Sequence, residues 1–356
     1  MYAVVLAGGS GTRLWPRSRA KSPKHLLNLM SPDNSMLQET AGRMLPVVGG
    51  ERLFVVTNVA HADEVRAQLP DVPPENVLAE PVGKNSGPAV GYAAARIMAL
   101  DPDAPMIVLP ADHVILRTEE FQAAVRAGAE FATNGGIVTL GISPGYPDTG
   151  YGYMELGEEV GRVGELTFHR IVRFTEKPDL AAATEFVESG RYVWNSGMFM
   201  WTARTIMEEI ATYMPNLHTA LTELAPALGT DDEAEAVARV WPGIESQSID
   251  YGVLERSERV TTLPIDIGWS DVGDWSALAE FIPQDSDGNA VLGEAMVFDS
   301  RNSLVYSSGR LITAIGLEDM IVVETEDALL ICPKSRAQEV RRIVDRLKRE
   351  DRRSFL

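Results

Sequence analysis

What this chain lacks narrows it before any motif is read. Among its 356 residues there is one cysteine, Cys332, which excludes an internal disulfide and points to a reducing compartment, with the cytoplasm as the expected location. Its five histidines, His25, His61, His113, His169 and His218, show no metal-ligand spacing. No nucleophile elbow is present either, so zinc chemistry, a histidine base and a covalent serine step have no support. No apolar run reaches the roughly 18 residues of a membrane span, and the apolar stretch within residues 1–7 reads as a strand too short for a secretory signal. Basic residues are in deficit, 32 Lys and Arg against 51 Asp and Glu. The resulting net charge of −19 argues against broad binding to nucleic acid or to a membrane surface. An acidic chain that binds phosphates must gather its cations locally or recruit a metal.

What is present begins at the N-terminus. The buried-strand run Ala3-Val4-Val5-Leu6-Ala7 ends in Gly8-Gly9-Ser10-Gly11-Thr12-Arg13-Leu14-Trp15-Pro16, followed by Pro23-Lys24. Glycines let consecutive backbone N–H groups point at one anion, and Arg13 and Lys24 add full positive charges. Two familiar phosphate loops fail on spacing. The Gly-Lys-Ser/Thr of a Walker loop is missing, and the third glycine of the dinucleotide fingerprint would fall on Leu14.

The length predicts about two domains. The first third of the chain alternates strand and helix signals, as a doubly wound α/β domain does. A domain with a mixed, mostly parallel sheet is expected over 1–282, its texture changing to longer loops from about residue 143. Strands are expected at 53–57, 77–79, 106–109, 137–140, 151–156, 171–174 and 260–265, and residues 203–257 read as acidic helices packed on the outside. After the turn-rich Pro283–Asn289, short apolar segments recur closely, which predicts a small all-β unit over 283–356 ending in a helix. That last helix is rich in Lys and Arg, but interleaved Glu and Asp make it a solvated face.

Several residues stand where chemistry is expected. Asp112 follows the apolar strand Met106–Leu109, where α/β sheets place their ligand loops, and a carboxylate opposite a phosphate loop suits Mg2+. Asp271 lies in the glycine- and tryptophan-rich Gly268–Trp275 and is the second metal candidate, with Asp274 the poorer one. Either aspartate could instead cap a turn or helix. Glu176-Lys177-Pro178 and Trp194-Asn195-Ser196-Gly197 offer a carboxylate, an amide and a cation for a sugar phosphate, although most Glu-Lys pairs are simply solvated. The polar loop Glu80-Pro81-Val82-Gly83-Lys84-Asn85-Ser86 follows another strand and is assigned to the nucleobase end of a nucleotide, through Glu80 and Asn85.

Taken together, Gly8–Arg19, Leu109–His113, Phe174–Pro178, Trp194–Phe199 and Gly268–Gly273 resemble, in order, the motifs of the mannose-1-phosphate guanylyltransferases, within the sugar-nucleotide nucleotidyltransferase superfamily. The resemblance implies a Rossmann-like nucleotidyltransferase domain followed by a small β-helix-like unit. It implies transfer of GMP from GTP to α-D-mannose 1-phosphate, giving GDP-mannose and pyrophosphate, in a homodimer with neither nucleic acid nor membrane as partner. Carried onto this chain, Gly8, Gly9, Ser10, Gly11 and Thr12 would hold the nucleotide phosphates, and Arg13 and Lys24 would stabilise charge in the transition state. Asp112 and Asp271 would hold Mg2+, and Glu176, Lys177 and Asn195 the mannose phosphate, with Gly152 lining the sugar pocket. Some relatives carry an added isomerase domain. With no histidine after His218 to build one, a monofunctional transferase is expected. The alternatives are a guanylyltransferase for another sugar 1-phosphate such as a heptose phosphate, a non-catalytic regulatory relative, and a plain nucleotide-binding α/β protein.

Overall fold

A computed structural model of the chain describes all residues except Ser10 and Pro32; the sequence assignment of Ser10 to phosphate binding therefore lies outside the described residues. Contacts divide the chain into two compact units. One holds residues 1–8, 40–111 and 115–269, the other residues 9–39, 112–114 and 270–356.

The larger unit is built on nine strands: β1 (Tyr2–Ala7), β2 (Leu53–Asn58), β3 (Val77–Glu80), β4 (Pro105–Pro110), β5 (Ile137–Ile142), β6 (Gly152–Val163), β7 (Leu166–Glu176), β8 (Tyr192–Thr202) and β9 (Val260–Pro264). They form one sheet in the order β3-β2-β1-β4-β8-β5-β9-β7-β6. The β1, β2, β3 and β4 neighbours run parallel, with Val4 and Val5 opposite Phe54 and Val55 on one side and Val108 and Leu109 on the other. These near-continuous apolar runs are what a strand covered on both faces requires. β8 breaks the pattern by running antiparallel to both β4 and β5, and β6 and β7 form an antiparallel hairpin. The sheet is thus mixed and mostly parallel in its first half.

The helices read from residues 203–257 do not lie on the outside as ornament. Ile206, Ile210, Leu217, Leu221, Leu224 and Val237 are buried with Val90, Ala93, Ala94 and Ile97 of helix 86–98 in the core of this unit. Most of their acidic residues take the opposite, solvated face, the ordinary amphipathic solution, while Glu209 is buried and paired with Arg259.

The smaller unit stacks short strands in coils. β10 (Ala290–Leu292), β12 (Leu304–Ser307) and β14 (Met320–Glu324) pair parallel, as do β11 (Ala295–Phe298) and β13 (Ile312–Ile315), and β15 (Leu329–Pro333) closes antiparallel on β14. Register stacks Ala290 on Leu304 on Ile321, all fully buried. At one corner Asn289 Nδ2 donates to Ser300 O at 2.8 Å while its Oδ1 accepts from Ser303 N at 3.1 Å, tying successive coils together. The terminal helix 340–349 buries Val340, Val344 and Leu347, while Ile343, read from sequence onto the same face, is 38% exposed.

This division by contacts differs from the sequence boundary at 282/283, and the reason is packing. Leu14, Trp15, Leu27, Leu29 and Met36, from the glycine-loop segment, share one core with Trp275, Leu304, Ile321 and Val344. Directed bonds reinforce that core. Trp15 Nε1 donates to Phe355 O at 2.8 Å, Trp275 Nε1 to Trp15 O at 2.9 Å, and Arg19 grips Asp327 with two bonds of 2.7 and 3.1 Å. Bidentate pairs of this kind fix orientation as well as position.

Asp274 begins helix 275–279, where its Oδ1 accepts from Ser276 N at 2.8 Å and Ala277 N at 3.1 Å, and its side chain is buried. Its role is that of an N-cap, which makes Asp271 the metal candidate of this loop. Asp274→Ala is expected to cost about 1–2 kcal/mol of stability, with Asp274→Ser keeping most of it. Urea denaturation followed by circular dichroism measures both.

Candidate functional site

Two clusters of the residues singled out from sequence take shape, one in each unit. In the smaller unit the centre is Lys24, whose side chain is 5% exposed. Its Nζ donates to the Asp112 carboxylate at 3.0 Å, to the Asp112 carbonyl at 2.8 Å and to the Asp271 carbonyl at 2.5 Å. All three ammonium donors are thereby used. Burial alone would push the Asp112 carboxyl up, but the Lys24 charge, His113, the Lys24 hydrogen bond and His25 together hold it down at about 2. Asp112 is therefore an anion at any working pH, as a cation ligand must be.

Gly11 explains how Lys24 reaches this position. It adopts a left-handed conformation at φ 59°, and a Cβ there would lie 2.5 Å from Lys24 Cβ. Only glycine suits both conditions. Gly8 and Gly9, by contrast, face open space on their Cβ side. Thr12 opens the short helical turn Thr12–Leu14 that carries Arg13. Arg13 Nη1 donates to Gln338 Oε1 at 2.9 Å. It also borders Gly273, where a Cβ would meet Arg13 Nη1 at 3.4 Å and the Asp271 carboxylate oxygens at 3.2 and 3.3 Å.

The metal assignment is tested by the donor set. Among the described residues no group of three or more His, Cys, Asp or Glu side chains is placed to hold a metal. Two carboxylates are enough for a hard cation that takes its remaining ligands from substrate phosphates and water. Lys24 Nζ bonds the Asp112 carboxylate and the Asp271 main-chain carbonyl, and the Asp271 carboxylate oxygens border Gly273, so the donors on offer are all oxygens. The residues fit Mg2+ and would not favour a softer metal.

The larger unit holds the second cluster. Glu176 ends β7 with its side chain 12% exposed, and its Oε1 accepts from Lys177 Nζ at 2.5 Å. Lys177 adopts φ 47°, uncommon for a residue with a side chain. Its burial draws the ammonium pKa down, but the Glu176 contact outweighs that and the net direction is up. Gly152 pairs with Glu176 across the β6–β7 hairpin, and a Cβ on it would collide with Glu176 Oε2. The missing side chain is what lets that carboxylate fold over the hairpin. Asn195 lies on β8 and donates from Nδ2 to Asp250 Oδ1 at 3.0 Å. Asp250 opens the turn Asp250–Leu254, and its carboxyl is pushed up to about 6 by burial and then by the neighbouring Glu176 charge. Aromatic rings flank the cluster: Tyr151 packs edge-on against Trp194 at 5.0 Å and Trp269 at 5.3 Å.

Glu80 and Asn85 lie at the end of β3 in the same unit. Asn85 caps helix 86–98, accepting from Ser86 N at 2.9 Å, at φ 73°. The loop between them is pinned by Trp241 Nε1, which donates to Val82 O at 2.9 Å. Glu80 is 4% exposed, its Oε1 has no hydrogen-bond partner among the described residues, and burial raises its pKa to about 7 despite a backbone bond from Lys84.

Sequence reading missed Asp250 and Gln338. Asp250 sits in Ser248-Ile-Asp-Tyr251, between helical segments and with no motif around it, and only the fold carries it to Asn195. Gln338 is 325 residues from Arg13 along the chain, and a glutamine in a polar segment gives no local signal.

Comparison with known proteins agrees with these motifs. The family model described as nucleotidyl transferase matches residues 2–288, and that described as MannoseP isomerase/GMP-like beta-helix domain matches residues 293–347. The chain is 39% identical over 362 residues to the mannose-1-phosphate guanylyltransferase of Escherichia coli K12, covering 99% of this chain and 74% of that protein. It is 40% identical to the xanthan biosynthesis protein XanB of Xanthomonas campestris over 97% of this chain and 73% of that one. A crystal structure described as mannose-1-phosphate geranyltransferase from Thermus thermophilus superposes with a TM-score of 0.87 at 34% identity, covering 98% of this chain and 99% of the other. No helix among the described residues is long and apolar enough to cross a membrane. The glycine-loop signature, its buried lysine and the two matched domains agree: the chain belongs to the nucleotidyl transferase family, among the mannose-1-phosphate guanylyltransferases.

Proposed function

We propose that the chain transfers GMP from GTP to α-D-mannose 1-phosphate, releasing pyrophosphate, by direct in-line displacement. The observation that carries this reading is the position of Lys24, a buried ammonium held against two aspartates beside the glycine turn. A sugar 1-phosphate is already an anion at neutral pH and needs no base to activate it. One of its phosphate oxygens forms the new bond to the α-phosphorus of GTP, and the bond from that phosphorus to the β-phosphate oxygen breaks. The electron pair leaves on pyrophosphate, and no proton moves. What the protein must supply is alignment and relief of repulsion between anions.

The residues divide that work. Backbone N–H groups of Gly8, Gly9, Gly11 and Thr12 face the triphosphate. Arg13 leaves Gln338 to meet charge developing on the α-phosphate and pyrophosphate, and Lys24 does the same from its buried seat. Asp112 and Asp271 would hold Mg2+, which would supply neutralisation of phosphate charge. Lys177 takes the sugar phosphate, Glu176 and Asn195 take sugar hydroxyls, and Gly152 leaves room for them. Glu80 reads the base: ionised, its two oxygens accept the two adjacent N–H donors on the guanine edge, which adenine lacks. Its unpartnered Oε1 supports that role. A homodimer is supported by the exposed apolar face of the small unit, where Phe298 lies opposite Ile315 in register with Met296 nearby, all more than half exposed.

Pyrophosphate release from GTP with mannose, glucose and heptose 1-phosphates, each with and without chelator, tests the reaction. Highest release with mannose 1-phosphate, lost on chelation, is the expected result; release with only another sugar moves the substrate and keeps the mechanism. Arg13→Ala and Lys24→Ala are each expected to lower kcat by about a hundredfold to a thousandfold, the cost of one preorganised charge. Normal turnover in either variant would remove the proposed mechanism.

Glu80 gives a pH test with a definite sign. The folded chain keeps the Glu80 proton up to about pH 7, whereas the usual value is 4.5. The folded state is therefore richer in protons between those values, and the stability this group contributes is complete below 4.5 and lost as pH rises through 7. Glu80→Gln should match the wild type in stability near pH 4.5 and exceed it at about pH 8.5, by on the order of 1–3 kcal/mol. It should also raise KM for GTP and narrow the preference for GTP over ATP. Light scattering of Phe298→Glu/Ile315→Glu should report a monomer against a dimeric wild type.

A further inference from the structure

A primary amide has two N–H donors and an oxygen with two lone pairs. At Asn195 three of these four positions are filled inside the protein. Oδ1 accepts from Gly197 N at 3.1 Å and from Thr139 Oγ1 at 3.2 Å, and Nδ2 donates to Asp250 Oδ1 at 3.0 Å. Turning the amide over would set its NH2 against the Gly197 N–H and its oxygen against the Asp250 carboxylate, so the orientation is fixed. One N–H is left. Asn195 can therefore donate to a substrate hydroxyl but has no lone pair to accept from one.

Acceptors must come from elsewhere: Asp250 is bonded to this amide, and Glu176 lies near Asp250. Glu176 is aimed over Gly152 and is bound to Lys177, and its charge acts on Asp250 strongly enough to raise the Asp250 pKa. A phosphate arriving at Lys177 would compete with Glu176 for that ammonium and free the Glu176 oxygens. Asp250 accepts from Asn195 through Oδ1, and its carboxylate also takes a bond from its own backbone N–H, which leaves Glu176 as the acceptor for the sugar.

We propose that Asp250 is the positioning residue of the sugar subsite, fixing Asn195 as a single N–H donor and setting it beside the Glu176 carboxylate as acceptor. The sugar then meets a donor and an acceptor in a fixed order, which selects the configuration of its hydroxyls. This rests on the reading that Glu176, Lys177 and Asn195 hold the sugar phosphate. The Asp250 side chain does not touch the reacting phosphorus in this scheme. Its removal should weaken sugar binding and leave the chemical step and the nucleotide alone.

The test uses the full chain and steady-state kinetics with each substrate varied in turn. Asp250→Ala is expected to raise KM for mannose 1-phosphate tenfold or more, to leave KM for GTP within twofold and kcat within threefold, and to narrow the preference over glucose 1-phosphate. Asp250→Asn, which keeps an acceptor oxygen for the amide, should restore most of the loss. In the Asn195→Ala background, Asp250→Ala should add little, because the two residues act as one unit. If the alanine variant does not fold, Asp250→Ser, too short to reach the amide, carries the same expectation. An unchanged KM for the sugar phosphate, an equal rise for GTP, or full additivity with Asn195→Ala overturns the proposal while wild-type turnover stands. Failure of the wild type with every sugar 1-phosphate overturns the underlying reading and this proposal with it.

Discussion

A lysine ammonium buried to 5% exposure is a costly thing to place, and the small unit is arranged to make it tolerable. Removing a charge from water is unfavourable unless partners replace the lost solvation, and Lys24 finds three oxygens, one of them ionised. Much of the local sequence follows from that need. Gly11 must lack a side chain so that Lys24 can approach, Asp112 must stop short of the next element, and the Gly268–Trp275 loop must turn its Asp271 carbonyl inward. The neighbouring carboxylate, Asp274, is turned to capping a helix, so its charge is absorbed by backbone N–H groups.

The second constraint is where the glycine-loop segment takes its support. Chain order suggests that it belongs with the strand preceding it. Its hydrophobic side chains say otherwise, because Leu14, Trp15, Leu27 and Leu29 are buried with the coiled strands and the terminal helix. Arg13, Arg17 and Arg19 each find a partner there as well: Gln338, the face of the Tyr306 ring at 5.6 Å, and Asp327. The segment gains rigidity by burying its apolar side chains in a unit that chain order alone would mark as an appendage.

These two features mark how far the sequence could be read. The strands of the larger unit were legible because a strand covered on both faces has to be apolar throughout, and Ala3–Ala7, Leu53–Thr57 and Met106–Leu109 are. The repeat of short apolar segments after Asn289 was legible for a similar reason, since each coil buries one residue in line with the last. Direction was not legible: nothing in Tyr192–Thr202 says that it runs against all three of the strands it pairs with, β4, β5 and β6. Nor was Asp250, whose importance depends on a partner 55 residues away, or the outward placement of Ile343 within an otherwise periodic helix. The motif residues Lys24, Asp112 and Asp271 were legible as types suited to phosphate chemistry. That a single nitrogen joins them is a property of the fold.

The contact between the Trp15 indole and the Phe355 carbonyl spans 340 positions of chain. During synthesis at about 5–20 residues per second, the segment bearing Arg13 and Lys24 emerges on the order of 20–70 s before the last of its supports. A nascent chain therefore carries Arg13 and Lys24 through that interval without the Phe355 bond that helps to hold their segment. The order of synthesis and the order of completion therefore differ: a motif made early is finished only once a residue 340 positions downstream has been added.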